Sequence, residues 1–139
     1  MLYHQLVADW LLHGHLSTLV APEIAPFVLS EKPANWGETV TATCTILKGD
    51  QPIQIEWALN GQPISHDVSD ITIVTSKRVS LLTIDAVTAS HAGEYTCVAT
   101  NAAGGTSYSA SLAVNGTILR SSKFLLILQC MYESSTYVA

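Results

Sequence analysis

Three cysteines, Cys44, Cys97 and Cys130, offer the most direct covalent chemistry in this chain. No Cys-x-x-Cys pair occurs, so neither a zinc knuckle nor a dithiol redox site has the spacing it needs. If two of the three bridge, one thiol is left over, and in a secreted setting it needs a partner of its own. His13-Gly14-His15 presents two imidazoles to a metal, but no third ligand follows at suitable spacing. Asp67, Asp70 and Asp85 lack the ordered Asp/Asn spacing of a calcium loop and read as solvated loop acids. Serines, histidines and aspartates are plentiful, yet no Gly-x-Ser-x-Gly elbow follows a strand and no glycine-rich loop opens a helix. Hydrolase and nucleotide chemistry therefore have no anchor, and the chain reads as non-enzymatic, with no cofactor and no metal. What remains is a candidate disulfide and one glycosylation sequon, Asn115-Gly116-Thr117. The sequon is accidental if Thr117 lies outside the natural domain.

The bulk numbers narrow the class. The 139 residues suffice for one domain with a real core. At 48% hydrophobic and 12% charged, the chain does not read as disordered. The net charge of -5 comes without a basic run. Nucleic-acid binding and electrostatic membrane anchoring both need clustered Lys/Arg, so neither is expected.

The chain divides into three parts: residues 1–20, 21–115 and 116–139. The first opens with Met and is apolar, but no Lys or Arg forms an n-region and Asp9 interrupts it. Leu2, Tyr3, Leu6, Val7, Trp10 and Leu11 instead share one face at helical spacing, predicting a short amphipathic helix that Gly14 ends. A degenerate signal sequence is the alternative. The last part holds one apolar run, Phe124 to Leu128, bounded by Arg120 and Lys123 on one side and Gln129 on the other. A bilayer span needs ~20 apolar residues, so no membrane span is expected, and this part reads as poorly ordered or strand-like. Both flanks are expected to lie outside the evolved domain, as translated sequence bordering a single exon.

The middle part supplies the elements that position the cysteines. Val40, Ala42, Cys44 and Ile46 alternate with Thr39, Thr41, Thr43 and Thr45, the period of a half-buried strand. Further alternating runs carry Ile53, Ile55 and Trp57, then Ile71 and Ile73, then Leu82 and Ile84, then Tyr95, Cys97 and Ala99, then Ala110, Leu112 and Val114. Asn60-Gly61 is a hairpin signal, since both positions tolerate positive φ. Seven or eight short strands without a long helical pattern predict an all-β sandwich or barrel. Cys44 and Cys97 stand 53 positions apart, each within an apolar strand face. Trp57 lies between them and Tyr95 sits two residues before the second. This Cys…Trp…Tyr-x-Cys order is the hallmark of the immunoglobulin sandwich. A Cys44–Cys97 disulfide would join the two sheets and stabilise by roughly 4 kcal/mol in the chain-entropy model. Two reduced core cysteines in a cytosolic sandwich, as in some muscle immunoglobulin domains, are the alternative.

The segment from Leu82 through Ile84, Val87, His91, Gly93, Tyr95, Cys97, Ala99 and Asn101 to Gly104 resembles the intermediate-set immunoglobulin pattern, L-x-I-x-x-V-x-x-x-D-x-G-x-Y-x-C-x-A-x-N-x-x-G. His91 is the one departure, standing where that family has Asp. The resemblance implies that the usual pairing of this Asp with a basic side chain is lost, leaving Lys77 and Arg78 free on the surface and His91 as a partly exposed turn residue, with a pH switch as the functional alternative. Ala21-Pro-Glu-Ile-Ala-Pro-Phe27, Pro33-Ala-Asn-Trp-Gly37 and Ile55-Glu-Trp-Ala-Leu-Asn-Gly-Gln-Pro-Ile64 extend the resemblance to the arthropod Dscam family (Down syndrome cell adhesion molecule), and within it to the alternatively spliced seventh domain. It covers residues 21 to 115 and stops at both ends.

That resemblance implies an extracellular, plasma-membrane receptor of neurons and haemocytes, with homophilic, isoform-matched binding for self-recognition and axon guidance, and with a strand face that pairs antiparallel with its own copy. The partner is then the chain itself or another cell-surface protein. A passive structural spacer and a soluble immune receptor for foreign surfaces are the alternatives. The residues supply a candidate face. With Leu82 and Ile84 inward, Val79, Leu81 and Thr83 point outward on the same sheet as Thr41 and Thr43. These five form an expected patch, apolar in the middle and charged at its rim, as interfaces are.

Overall fold

The computed structural model describes residues 18–65, 68 and 70–116. The expected N-terminal helix, His13 and His15, Asp67, Thr117, the Phe124–Leu128 run and Cys130 lie outside the described residues. Among the described residues ten strands appear in the order β1 (Glu23–Ile24), β2 (Ala34–Asn35), β3 (Val40–Lys48), β4 (Gln54–Leu59), β5 (Gln62–Pro63), β6 (Ile71–Thr75), β7 (Val79–Ile84), β8 (Gly93–Asn101), β9 (Gly104–Leu112) and β10 (Val114–Asn115). A short 3-10 helix, Ala89–His91, is the helical element among the described residues.

Two four-stranded antiparallel sheets form, β1-β3-β7-β6 and β5-β4-β8-β9, and β10 pairs with β2 in parallel beside them. The alternation read in β3 puts Val40, Ala42, Cys44 and Ile46 inside. Leu82 and Ile84 of β7 meet them in register, Val40 opposite Ile84 and Ala42 opposite Leu82. From the other sheet come Trp57, Tyr95, Cys97, Ala99 and Leu112. Each fully buried aliphatic side chain contributes ~1.5–3 kcal/mol relative to exposure.

The Cys44–Cys97 disulfide joins the sheets through this core, with Cα atoms 6.3 Å apart. The Trp57 indole lies across from it and donates its Nε1–H to Ser80 Oγ at 2.9 Å. Ser80 is fully buried, so its hydroxyl is kept inside only because Trp57 and Thr75 Oγ1, 2.8 Å away, satisfy it. Phe27 packs into the core, 5.4 Å between ring centroids from Trp57 and 5.1 Å from Tyr108.

At the start of β8, Tyr95 donates its hydroxyl to the carbonyl of His91 at 2.8 Å, tying the strand to the turn before it. Burial penalises the phenolate and pushes the Tyr95 pKa up to about 12. The Asn60-Gly61 hairpin lies alongside, with φ of 50° and 79°. Asn60 Oδ1 accepts the Glu94 N–H at 2.9 Å, and its side chain occupies the place where a Cβ at residue 93 would stand. Only glycine fits there, at φ 153°.

Two expectations drawn from the His91 departure are corrected. His91 is buried, not a partly exposed turn residue. Its Nδ1 accepts the Thr88 N–H at 2.9 Å, completing a capping box on the 3-10 helix. The Nδ1 nitrogen thus caps the turn as an acidic side chain would. Arg78 is not free either, because its guanidinium donates to the Gly49 carbonyl at 3.0 Å.

Candidate functional site

The outer face of the β3-β7-β6 layer is built by register. Thr43, Leu81 and Val74 form one row across the three strands, and Thr41, Thr83 and Thr72 form the next. Thr45 stands opposite Val79. Thr41 and Thr43 are exposed and Thr83 is half-buried, so all five expected positions occupy one surface. Two further residues enlarge it. Val74 is 61% exposed on β6 and Leu47 55% exposed on β3, against 37% each for Val79 and Leu81. Sequence reasoning missed both, although the period that turns Ile71 and Ile73 inward already turns Val74 outward, and the β3 alternation does the same for Leu47.

No charged side chain interrupts these rows. Charge gathers at the two ends. Lys77 and Arg78 precede β7, and Lys48 ends β3, where its Nζ meets Glu23 at 2.9 Å. Glu38 precedes β3 and Asp85 follows β7 at the far end. The Glu38 carboxylate accepts from the Asn35 side chain at 2.7 Å and the Asn35 N–H at 2.8 Å, which holds its pKa below the usual carboxylate value. Thr39 Oγ1 donates to the Asp85 carbonyl at 2.8 Å, fixing that end. The face is therefore neutral and partly apolar in the middle, basic at one pole and acidic at the other.

The outer face of the second sheet differs. Thr96 and Ser109 pair through their hydroxyls at 2.7 Å, and Gln54 donates to Glu56 at 2.7 Å. Hydroxyls, amides and acids dominate it, the composition of a solvated surface. A cleft of about 310 Å³ between β4 and β6 is lined by Ile55, Glu56, Trp57, Pro63, Ile64 and Ile73, with no nucleophile–base pair among them. Among the described residues no cluster of three or more His, Cys, Asp or Glu could hold a metal, and no helix is long and apolar enough to cross a membrane. Asn115 is exposed on β10, its Nδ2 3.4 Å from the Pro33 carbonyl.

Comparison with known proteins agrees with this architecture. The immunoglobulin domain family matches residues 22–101. The cell adhesion molecule Dscam1 of Drosophila melanogaster is 43% identical over 101 residues, covering 72% of this chain and 5% of its own length. The chain thus spans a small part of the curated relatives it matches. The crystal structure of the Dscam1 Ig7 domain, isoform 5, superposes with a TM-score of 0.68 at 40% identity, covering 71% of this chain and all of that one. The I67-I69 fragment of titin superposes with a TM-score of 0.62 at 32% identity, covering 68% of this chain and 32% of that one. Matches to adhesion molecules of this kind place the fold among binding modules rather than enzymes. The chain belongs to the immunoglobulin domain family, and within it is similar to the seventh immunoglobulin domain of Dscam1.

Proposed function

We propose that this domain is a self-recognition module of a larger cell-surface adhesion receptor, pairing with its own copy through the outer face of β3, β7 and β6. The observation that carries the reading is the uncharged row Thr43–Leu81–Val74, extended by Val79 and Leu47, on an exposed sheet. Interface cores are depleted in charge and rimmed by it, and a self-contact uses one patch twice about a two-fold axis. The poles favour the antiparallel choice of axis, because that choice sets the Lys77–Arg78 end of one copy against the Asp85–Glu38 end of the other. The core disulfide suits an extracellular setting. Similarity to the cell adhesion molecule Dscam1 supports the adhesive part of this reading; isoform-matched self-recognition in neurons and a role in axon guidance are the finer part of the proposal. Dilution of methyl-labelled protein by NMR tests this reading. Shifts confined to Leu47, Val74, Val79 and Leu81 are expected. Shifts spread over the Thr96–Ser109 face would assign contact to the other sheet. Unchanged spectra at every concentration would leave a spacer, as in the titin arrays, or a receptor for foreign surfaces.

A further inference from the structure

We propose that the outer edge of β6 takes an added strand: an extended segment of a partner protein, antiparallel to β6, acidic at its amino end, aliphatic in its middle and basic at its carboxyl end. This contact uses the edge of the sheet rather than its face, so it does not depend on the self-contact above. Among the described residues β6 ends its sheet, and register fixes where its backbone points. Ile46 donates its N–H to the Arg78 carbonyl at 2.8 Å, so Ser80, Leu82 and Ile84 of β7 bond toward β3. Ser76 donates its N–H to the Val79 carbonyl at 2.8 Å, so Thr72 and Val74 are the β6 residues that bond toward β7. The N–H and C=O of Ile73 and Thr75 therefore point away from the sheet, as does the Ile71 carbonyl, and meet no partner among the described residues. The Ile71 N–H is already held by the Val68 carbonyl at 3.2 Å. Such a row of donors and acceptors is a template for another strand. Ile71–Thr75 reads Ile-Thr-Ile-Val-Thr, strand-forming residues with no charge or proline to turn one away. The edges at β1 and β5 are two residues long and carry Pro22 beside one and Pro63 within the other.

A second observation says what the added strand brings. Ile73 lines the cleft of about 310 Å³, together with Ile55, Trp57 and Ile64. Residues opposite each other on paired strands point to the same face, so the side chain set opposite Ile73 enters this cleft, which has room for a large aliphatic group. A second copy of the chain cannot supply it, because its own Ile73 is packed against its own core. The occupant is thus an extended segment that is not already part of a sandwich. Its polarity follows from charge. Lys77 lies just beyond the end of β6 and Asp70 just before its start, both exposed. An antiparallel segment sets its amino end beside Lys77 and its carboxyl end beside Asp70.

The probe is a capped synthetic peptide with the sequence of residues 70–77, acid first, aliphatic in the middle and Lys last. It is titrated by NMR into the full chain carrying Leu81→Glu, so that success or failure of the adhesive face is scored separately. Saturable shifts are expected at the Ile73 and Thr75 amides and at the Trp57 indole N–H, with hydrogen exchange at Ile73 and Thr75 slowed by roughly tenfold or more. Methylating the peptide nitrogen of its central Ile, which faces β6, should abolish binding; methylating that of the next residue, which faces away, should not. Exchanging the terminal Asp and Lys of the peptide should weaken binding several-fold. Ile73 and Thr75 amides that ignore the peptide, or shifts confined to Leu47 and Val79 on the outer face, would overturn the proposal. So would amides that change on dilution of the chain alone, which would make a second copy the occupant, or amides already protected in the monomeric chain, which would put a segment of the chain itself in that place.

Discussion

Val74 and Leu81 are register partners across β6 and β7, and their side chains emerge side by side on the outer face of the sheet. Their inward neighbours Ile73 and Leu82 are paired in the same register and pack in or against the core. The two residue pairs therefore separate binding from folding. Val74→Glu and Leu81→Glu should each change unfolding free energy by no more than about 1 kcal/mol, the span of strand preference at exposed sites. Leu82→Ala, one position along, should cost about 2–5 kcal/mol. Urea denaturation measures both.

The charge poles give a second expectation. In an antiparallel self-contact, Lys77 of one copy approaches Asp85 of the other, twice by symmetry. Lys77→Glu or Asp85→Lys alone should weaken the dimer by up to about 1 kcal/mol per rim pair, and raised salt should do the same. Combining both substitutions in one chain should restore affinity. A dimer indifferent to all three, yet lost in Leu81→Glu, would leave the face in place and remove the orientation.

Gly93 and Asn60 lock the start of β8 to the hairpin turn. An added Cβ at residue 93 would stand 2.5 Å from Asn60 Oδ1. Gly93→Ala should therefore cost about 1–3 kcal/mol through overpacking. Asn60→Gly forfeits the bond to the Glu94 N–H but opens the space, so the double variant should be less destabilised than the sum of the two singles. Thermal melts of the four proteins measure the coupling.

Tyr95 should remain a neutral phenol until far into the alkaline range. Its folded pKa is about 12, against 10.0 for the free side chain. An acid whose folded pKa is raised stabilises the fold fully below the unfolded value and less as pH climbs from there to the folded one. Stability should fall between about pH 10 and 12, and Tyr95→Phe should remove that part of the fall while costing about 1 kcal/mol at neutral pH from the lost bond to His91. Ultraviolet titration of the phenols, with and without Tyr95, resolves it.

Much of this fold was legible because its markers are rare residue types at telling positions. Cys44, Cys97, Trp57 and Tyr95 each sit in an alternating run, and their order identified the sandwich before any geometry. The same alternation placed Thr41, Thr43, Val79, Leu81 and Thr83 on one surface. β1 and β2 were not legible. Each has two residues, and Pro22, Pro26 and Pro33 interrupt any period around them. The burial of His91 escaped because its partner is the backbone N–H of Thr88, which no residue type announces. Arg78 was misjudged for the same reason, since it is held by the Gly49 carbonyl.

The most direct test of the adhesive face is sedimentation velocity of the oxidised chain, wild type beside Leu81→Glu, from low to high protein concentration. A reversible wild-type dimer is expected, with a Leu81→Glu protein that stays monomeric while keeping its fold. A wild-type chain that remains monomeric throughout, or a dimer that Leu81→Glu leaves equally tight, would contradict it.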